Sequence, residues 1–466
     1  MIRFLAECGL RTLPTEDAAA KMEVWRAWYR GHVDSFHTYK TYSGRKTRNA
    51  ERKTLNMAAA VCRRWADLLL NEKVDIRAGD ETSGAVLEEA LRRSNFYVRA
   101  NNLIEAAFAL GGGFFIEYWD GAHAAVKYVT QDQMLPLAFD SGVLSEAAFV
   151  SRKVIDGKVY VYLETHTRGA DDCYVVDNTL LARGEDGGLT PADASLYKRL
   201  GLARHWQTGS REALFQSIRP NVANADDFNS PFGTSVFSGA TDILKGIDLV
   251  YDSYCKEFLL GKKRIFVRDG VTNFNVDEQG NPIRVFDPND EVFYSLPDAN
   301  DESAPPLIES DLSLRTGEHD AALQTQLNLL SQAVGFGSNG FKWDAGNAAT
   351  ATQIISENSE MFRTLKKHEI ILRQAICAMA RGVLRLEAAF GAAVDAQTEI
   401  SVNFDDSIIE DTAQIRAQAM LEYNAGLIDA VTYYQRVYRM TKAQAEDLAR
   451  EIGGRKPAIE EEPDVE

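Results

Sequence analysis

Two stretches of this chain place cationic side chains where they could meet a polyanion. One is Gly261-Lys262-Lys263-Arg264, a basic step that directly follows a helical pattern. The other is Gly335-Phe-Gly-Ser-Asn-Gly-Phe-Lys-Trp-Asp-Ala-Gly346, which offers one ammonium, Lys342, and one amide, Asn339, among glycines free to take positive φ. The chemistry open to both is electrostatic: cations against phosphate oxygens, with no reading of bases. Phe336, Phe341 and Trp343 interleave the second stretch and would give it packing contacts with neighbours. Each stretch also has a plainer reading. Lys262, Lys263 and Arg264 can complement the dipole of a helix C-terminus, and the glycine-rich run can be a simple connector between helices.

Residues for bond-making chemistry are scattered. Asp171-Asp172 and Asp405-Asp406 are adjacent carboxylates, which in a strand point to opposite faces. Gly111-Gly112-Gly113 has no following Lys-Ser/Thr and precedes a strand pattern, so it reads as a turn and not a phosphate cradle. The seven histidines are isolated, and His319 and His368 read as helix-surface or core residues. There is no phosphate-binding lysine loop, nucleophile elbow, zinc-binding helix or EF-hand loop. Nucleophilic and metal catalysis therefore find no support, and no cofactor or metal is expected. A two-domain soluble enzyme is the competing reading from another class.

Composition narrows the classes further. The 466 residues allow two to four domains or one elaborate one, and 45% hydrophobic content allows a sizeable core. Lys plus Arg number 51 against 68 Asp plus Glu, a formal net charge of -17. That balance argues against a protein that coats nucleic acid. It leaves room for one that surrounds a polyanion without gripping it, because an acidic wall repels phosphate. Cys8, Cys62, Cys173, Cys255 and Cys377 form no CxxC pair and read as reduced thiols. No apolar run is long enough to span a membrane, and the N-terminus lacks the apolar core of a signal peptide. The product is expected to stay inside the cell that makes it.

The elements that must position these residues follow from periodicity. Helices are expected over 15–40, Leu55–Asn71 and Val86–Leu110, the last with a break at Ser94–Tyr97; 41–53 reads as a basic loop. From Phe114 to Arg183 the pattern is β, with Asp156-Gly157 as a hairpin turn, and 184–230 reads as loops. A helix follows from Val236 to Leu260, with Thr234 or Ser235 as cap. Next come a small β-rich excursion to about Ser310, a helix Glu318–Val334, the glycine-rich run, and a helical pattern of roughly 40 residues, Ala348–Phe390. A strand Glu399–Phe404, helices Asp411–Tyr423 and Thr432–Ile452, and an acidic tail that reads as disordered complete the chain. Two helices around a small β excursion, a loop and one very long helix make an unusual plan for an enzyme; they suit a ring subunit whose helices line a channel.

Several segments, in this order and spacing, resemble the portal proteins of tailed bacteriophages, in particular the siphophage group. They are Asn56-Met-Ala-Ala-Ala-Val-Cys-Arg-Arg-Trp-Ala-Asp-Leu-Leu-Leu-Asn71, Ala109-Leu-Gly-Gly-Gly-Phe-Phe-Ile-Glu-Tyr118, and Val129-Thr-Gln-Asp-Gln-Met-Leu-Pro136 with Asp140-Ser-Gly-Val-Leu-Ser-Glu-Ala147. Further on they are Ser230-Pro-Phe-Gly-Thr-Ser235, Ile247-Asp-Leu-Val-Tyr-Asp-Ser-Tyr254, Ala349-Thr-Ala-Thr-Gln-Ile-Ile-Ser356 and Asp405-Asp-Ser-Ile-Ile-Glu-Asp411.

The resemblance implies an α+β, predominantly helical portal fold. Its parts would be a wing (1–235), a first stem helix (236–263), a clip (264–310), a second stem helix (311–334), a tunnel loop (335–347), a long wing helix with return strand (348–404) and a small helical crown (405–466). It further implies a ring, usually of twelve subunits, at one capsid vertex, through which double-stranded DNA is packaged and ejected without sequence specificity. The implied partners are other copies of the chain, the large terminase, the major capsid and scaffold proteins, and a head-tail adaptor, with no membrane. The location is the virion, after synthesis in a bacterial host. A portal of a domesticated particle, such as a gene transfer agent, fits the same residues. In a ring each polar residue repeats once per subunit: -17 per chain becomes roughly -200 over about twelve copies. Lys342, or Lys262, Lys263 and Arg264, would then form isolated basic belts in a repulsive wall. The short C-terminal region makes a large crown unexpected.

Overall fold

The strand Gly113–Trp119 is buried on both faces, and the molecule is layered around it. Its neighbours in an antiparallel three-stranded sheet are Phe215–Ile218 and Ala124–Thr130. Successive side chains of a strand leave on opposite faces. Phe115 therefore joins a core of helices with Phe96 and Phe108, whereas Phe114 and Ile116 meet Phe149 and Phe215 on the side of a second sheet. That second sheet is antiparallel, in the order Leu189–Pro191, Tyr174–Arg183, Lys158–Arg168, Val143–Ile155, Met134–Asp140, with His205–Gln207 also paired to Tyr174–Arg183. The computed structural model describes residues 2–12, 15–43, 46–71, 74–184, 188–260, 264–268, 275–276, 279, 282–283, 293–296, 307–310, 313–338, 340–342, 351–404, 412–438, 440 and 442–453. Among these the architecture is mixed α+β, with helix the larger share.

The helical layer follows local chemistry. In Met57–Leu69 the residues Ala58, Val61, Cys62, Trp65 and Leu69 fall on one face and are all buried. Helix Glu81–Arg93 starts at Asp80, whose carboxylate accepts from the Ser83 N–H at 2.8 Å, and ends with Arg92 and Arg93 facing the negative end of the dipole. Asn95 at φ 47 separates it from Phe96–Leu110, and Gly111 at φ 96 stops that helix. The longest helix, Ala351–Ala389, has 39 residues and is about 58 Å long. It crosses the three-stranded sheet, the helices Met57–Leu69 and Glu81–Arg93, and the strand pair Asp75–Ala78 with Ile400–Asn403. Helices Thr241–Leu260 and Thr316–Ala333 pack on each other, with Gly246 against the Gln326 amide.

Several elements differ from the sequence reading. The basic stretch 41–53 is not a loop: Thr38–Ser43 and Lys46–Glu51 pair as an antiparallel hairpin. Strand Met134–Asp140, within the expected β region, carries Pro136, which is tolerated because this is the edge strand. Within 184–230, helix Ala194–Arg199 and strands Leu189–Pro191, His205–Gln207 and Phe215–Ile218 replace the expected loops. The helix expected from Val236 begins at Thr241, after a single turn Ser238–Ala240. The expected helix Thr432–Ile452 is two, Ala430–Tyr438 and Lys442–Gly453. The β excursion has Arg264–Arg268 at its centre, parallel to Phe293–Leu296 and antiparallel to Leu307–Ser310. Asp405-Asp406 and the acidic tail lie outside the described residues.

Candidate functional site

The glycine-rich run starts from a tightly held base. Helix Thr316–Ala333 ends at Val334, and Gly335 (φ 87) turns the chain where a side chain would meet Thr364 Cγ2 at 2.6 Å. The Phe336 N–H donates to Ser331 O at 2.8 Å, and its ring, 3% exposed, stacks on Trp65 with centroids 4.4 Å apart. Trp65 Nε1 donates to Val334 O at 3.2 Å. The buried Ser331 hydroxyl accepts from the Gly340 N–H at 2.9 Å, and Arg64 donates to Gly340 O. Phe341 is half-buried, edge-on to Phe336 at 5.4 Å, and Lys342 is exposed. Phe336 and Phe341 thus pack within their own chain. Asn339, Trp343, Lys262 and Lys263 lie outside the described residues; Arg264 is described only as the backbone of a strand paired to Ser310.

His368, on the longest helix, closes the cluster from below. It is buried edge-on to Trp65 (4.9 Å) and Phe108 (5.0 Å), and its Nδ1 accepts from the Asn221 N–H at 2.9 Å. That contact fits the neutral imidazole with its proton on Nε2. Burial, with Lys367 nearby, pushes its pKa down to about 4. A folded-state value below the ordinary one near 6.5 means that the contribution is complete above pH 6.5 and is lost as pH falls from about 6.5 to about 4, about 3 kcal/mol in all. Urea midpoints are therefore expected to decline over that window in the wild type and to decline less in His368→Asn; equal slopes would remove His368 as the cause.

The helix that precedes the basic step is fastened by its acids. Asp248, 3% exposed, accepts from the Leu55 N–H at 2.8 Å, from Thr54 Oγ1 at 3.0 Å and from His37 Nε2 at 3.1 Å. His37 Nδ1 in turn accepts from the Val33 N–H at 2.8 Å. One turn on, Asp252 accepts from the Lys53 N–H at 3.2 Å and pairs with Lys256, which also reaches Tyr39. At the far end Glu257 meets Arg315 at 2.7 Å; that hydrogen bond holds its carboxyl down to about 2. Arg52, part of the basic stretch, donates to Phe36 O and lies 4.3 Å over the Phe36 ring.

A third joint unites two of the segments singled out above. The backbones of Gly111 and Gly233 touch: a side chain on Gly111 would lie 2.5 Å from Gly233 O, and one on Gly233 would lie closer still to Gly111 O. The buried Gln131 amide bridges them, accepting from the Gly233 N–H at 2.9 Å and donating to Leu110 O at 3.0 Å. Ser235, one of the two expected caps, accepts from the Phe237 N–H at 3.4 Å and donates to Phe108 O at 3.2 Å.

Asp171 and Asp172 sit in a turn, where Asp171 accepts from the Cys173 N–H and Asp172 pairs with Arg168. Among the described residues no three His, Cys, Asp or Glu are grouped to hold a metal ion, and no helix is long and apolar enough to cross a membrane. All five cysteines are free. Arg64, Ser331, His37 and Gln131 were not foreseen as site residues: each acts through a partner at least 9 residues away, and Arg64 reaches across 276.

Residues 15–458 match the family model for phage portal proteins of the SPP1 Gp6-like type. The chain therefore belongs to that family. It is a portal protein, a structural component of the virion at the portal vertex and not an enzyme. No curated protein matches it. Among solved structures it is similar to a chain in the virion of a native gene transfer agent particle, at 12% identity and a TM-score of 0.42, over 82% of this chain and 88% of that one. It is similar also to a chain in the neck of that native particle computed with C12 symmetry, at 13% identity, a TM-score of 0.41 and coverage of 81% and 88%.

Proposed function

We propose that twelve copies of this chain form a ring that conducts double-stranded DNA into and out of the capsid, with Lys342 facing the duplex. The observation that carries this is the portal-family match over residues 15–458. Within the ring, Thr241–Leu260 and Thr316–Ala333 serve as the stem helices, 264–310 as the clip, 335–347 as the tunnel loop and Ala351–Ala389 as the long wing helix. Residues 1–235 form the rest of the wing and 405–466 a small crown. The clip docks the large terminase and then the head-tail adaptor, and the wing meets capsid and scaffold protein.

Two features support the assembly. Leu249, Phe258, Leu259 and Leu329 are exposed on the helix pair, where a neighbouring subunit would cover them. A charge of -17 per chain keeps most of the wall repulsive to phosphate, so that single cations act as belts. The test is electron microscopy of the purified chain with mass photometry over a concentration series. Rings of about twelve with a hole wide enough for a duplex are expected, in keeping with closed cyclic assembly. A monomer at every concentration, even with capsid and scaffold protein present, would overturn the reading.

A further inference from the structure

Lys342 leaves the protein body from a point that two residues of another helix hold in place. Arg64 donates to Gly340 O, and its guanidinium lies 5.0 Å from the Phe336 ring centroid and 5.5 Å from that of Phe341. A planar, delocalised cation does both at once, with an edge N–H on the carbonyl and its flat face free to lie against rings. Trp65 takes the opposite role, stacking on Phe336 from within the core and holding Val334 O. Ser331 fixes both the Phe336 and the Gly340 N–H groups. The residues on either side of Gly337 (φ 73) are thus pinned, and Lys342 follows Phe341 directly.

We propose that Arg64, backed by Trp65, is the positioning residue for Lys342: its grip on Phe336, Gly340 and Phe341 sets where in the channel the Lys342 ammonium stands. This rests on the reading of Lys342 as the DNA-facing cation. Arg64 itself is half-buried and is not assigned to touch DNA.

The test compares Arg64→Ala, Arg64→Lys and Phe341→Leu in the full-length protein, read by amide hydrogen exchange and by DNA-filled particles. Arg64→Ala is expected to speed exchange at Phe336 and Gly340, and trypsin cleavage after Lys342, by about tenfold with the global unfolding midpoint unchanged. Arg64→Lys, keeping charge but not the planar fork, is expected to restore only part of the protection. Phe341→Leu removes one ring from the grip at a half-buried site and serves should Arg64→Ala misfold. DNA filling is expected to fall in step with exchange. Unchanged exchange in both Arg64→Ala and Phe341→Leu overturns the grip while leaving Lys342 in its role. Faster exchange with normal filling, where Lys342→Glu blocks filling, overturns the positioning role alone. Normal filling in Lys342→Glu as well removes the DNA-facing reading, and this inference with it.

Discussion

Heads carrying Lys342→Glu are expected to assemble at wild-type levels and to hold at most about a tenth as many packaged genomes. Assembly survives because Lys342 is exposed and stands outside the Trp65–Phe336–His368 cluster that fixes the loop base. Packaging suffers because the substitution replaces a cation with an anion in every subunit. On the proposal that Lys342 faces the duplex, a belt of about twelve positive charges becomes one of about twelve negative charges, against a polymer with one phosphate every 1.7 Å or so of helix axis. Exposed charges are screened beyond about 8 Å at physiological ionic strength, so the effect is confined to DNA within reach of the loop. Lys342→Gln, which removes attraction without adding repulsion, is expected to fall between the two. The measurement is nuclease-protected DNA per particle, with ring number counted in parallel. Full particles at normal yield from Lys342→Glu would take this residue out of the mechanism.

Gly233→Ala is expected to cost about 4 kcal/mol or more, at the extreme of single substitutions. The methyl group would enter the Gly111 peptide, and backbone, unlike a side chain, cannot rotate away. Gly111→Ala adds a second penalty, since φ is 96 there. Gly239→Ala is the control: a methyl group there would have nothing within 4 Å, and a shift within about 0.5 kcal/mol is expected. Urea midpoints of the three variants decide the matter, and a Gly233→Ala midpoint equal to that of Gly239→Ala would mean that the two backbones can part freely.

Much of this fold is legible in the chain, and what is not has identifiable causes. Spacing of Ala58, Val61, Cys62 and Trp65 marks a helix, and Asp156-Gly157, both at positive φ, marks a hairpin whose flanking Ile155 and Lys158 are paired. Short strands are a different case. Ile400–Asn403 falls within the strand expected over Glu399–Phe404, but its partner Asp75–Ala78, four residues from the other end of the chain, carries too little pattern to be seen alone. Phe215–Ile218 hides in a stretch rich in small and polar residues, yet completes the sheet under the longest helix. At the site, the loop and its single lysine stand out by composition. Its holder does not: Arg64 sits beside Arg63 on a helix, where a charged pair reads as a solvated face. Only the three-dimensional return of residue 340 shows that one of the two is turned inward.

The contact between Gly111 and Gly233 also has a genetic consequence. Where a side chain blocks an enlarged residue, a smaller partner can restore room, and second-site suppressors arise. Here the blocking atoms are carbonyl groups, and both positions already carry the smallest residue. No compensating substitution at either position exists, so selection for revertants of Gly233→Ala should return the original codon, or distant changes that raise stability in general, and never an allele-specific suppressor at residue 111.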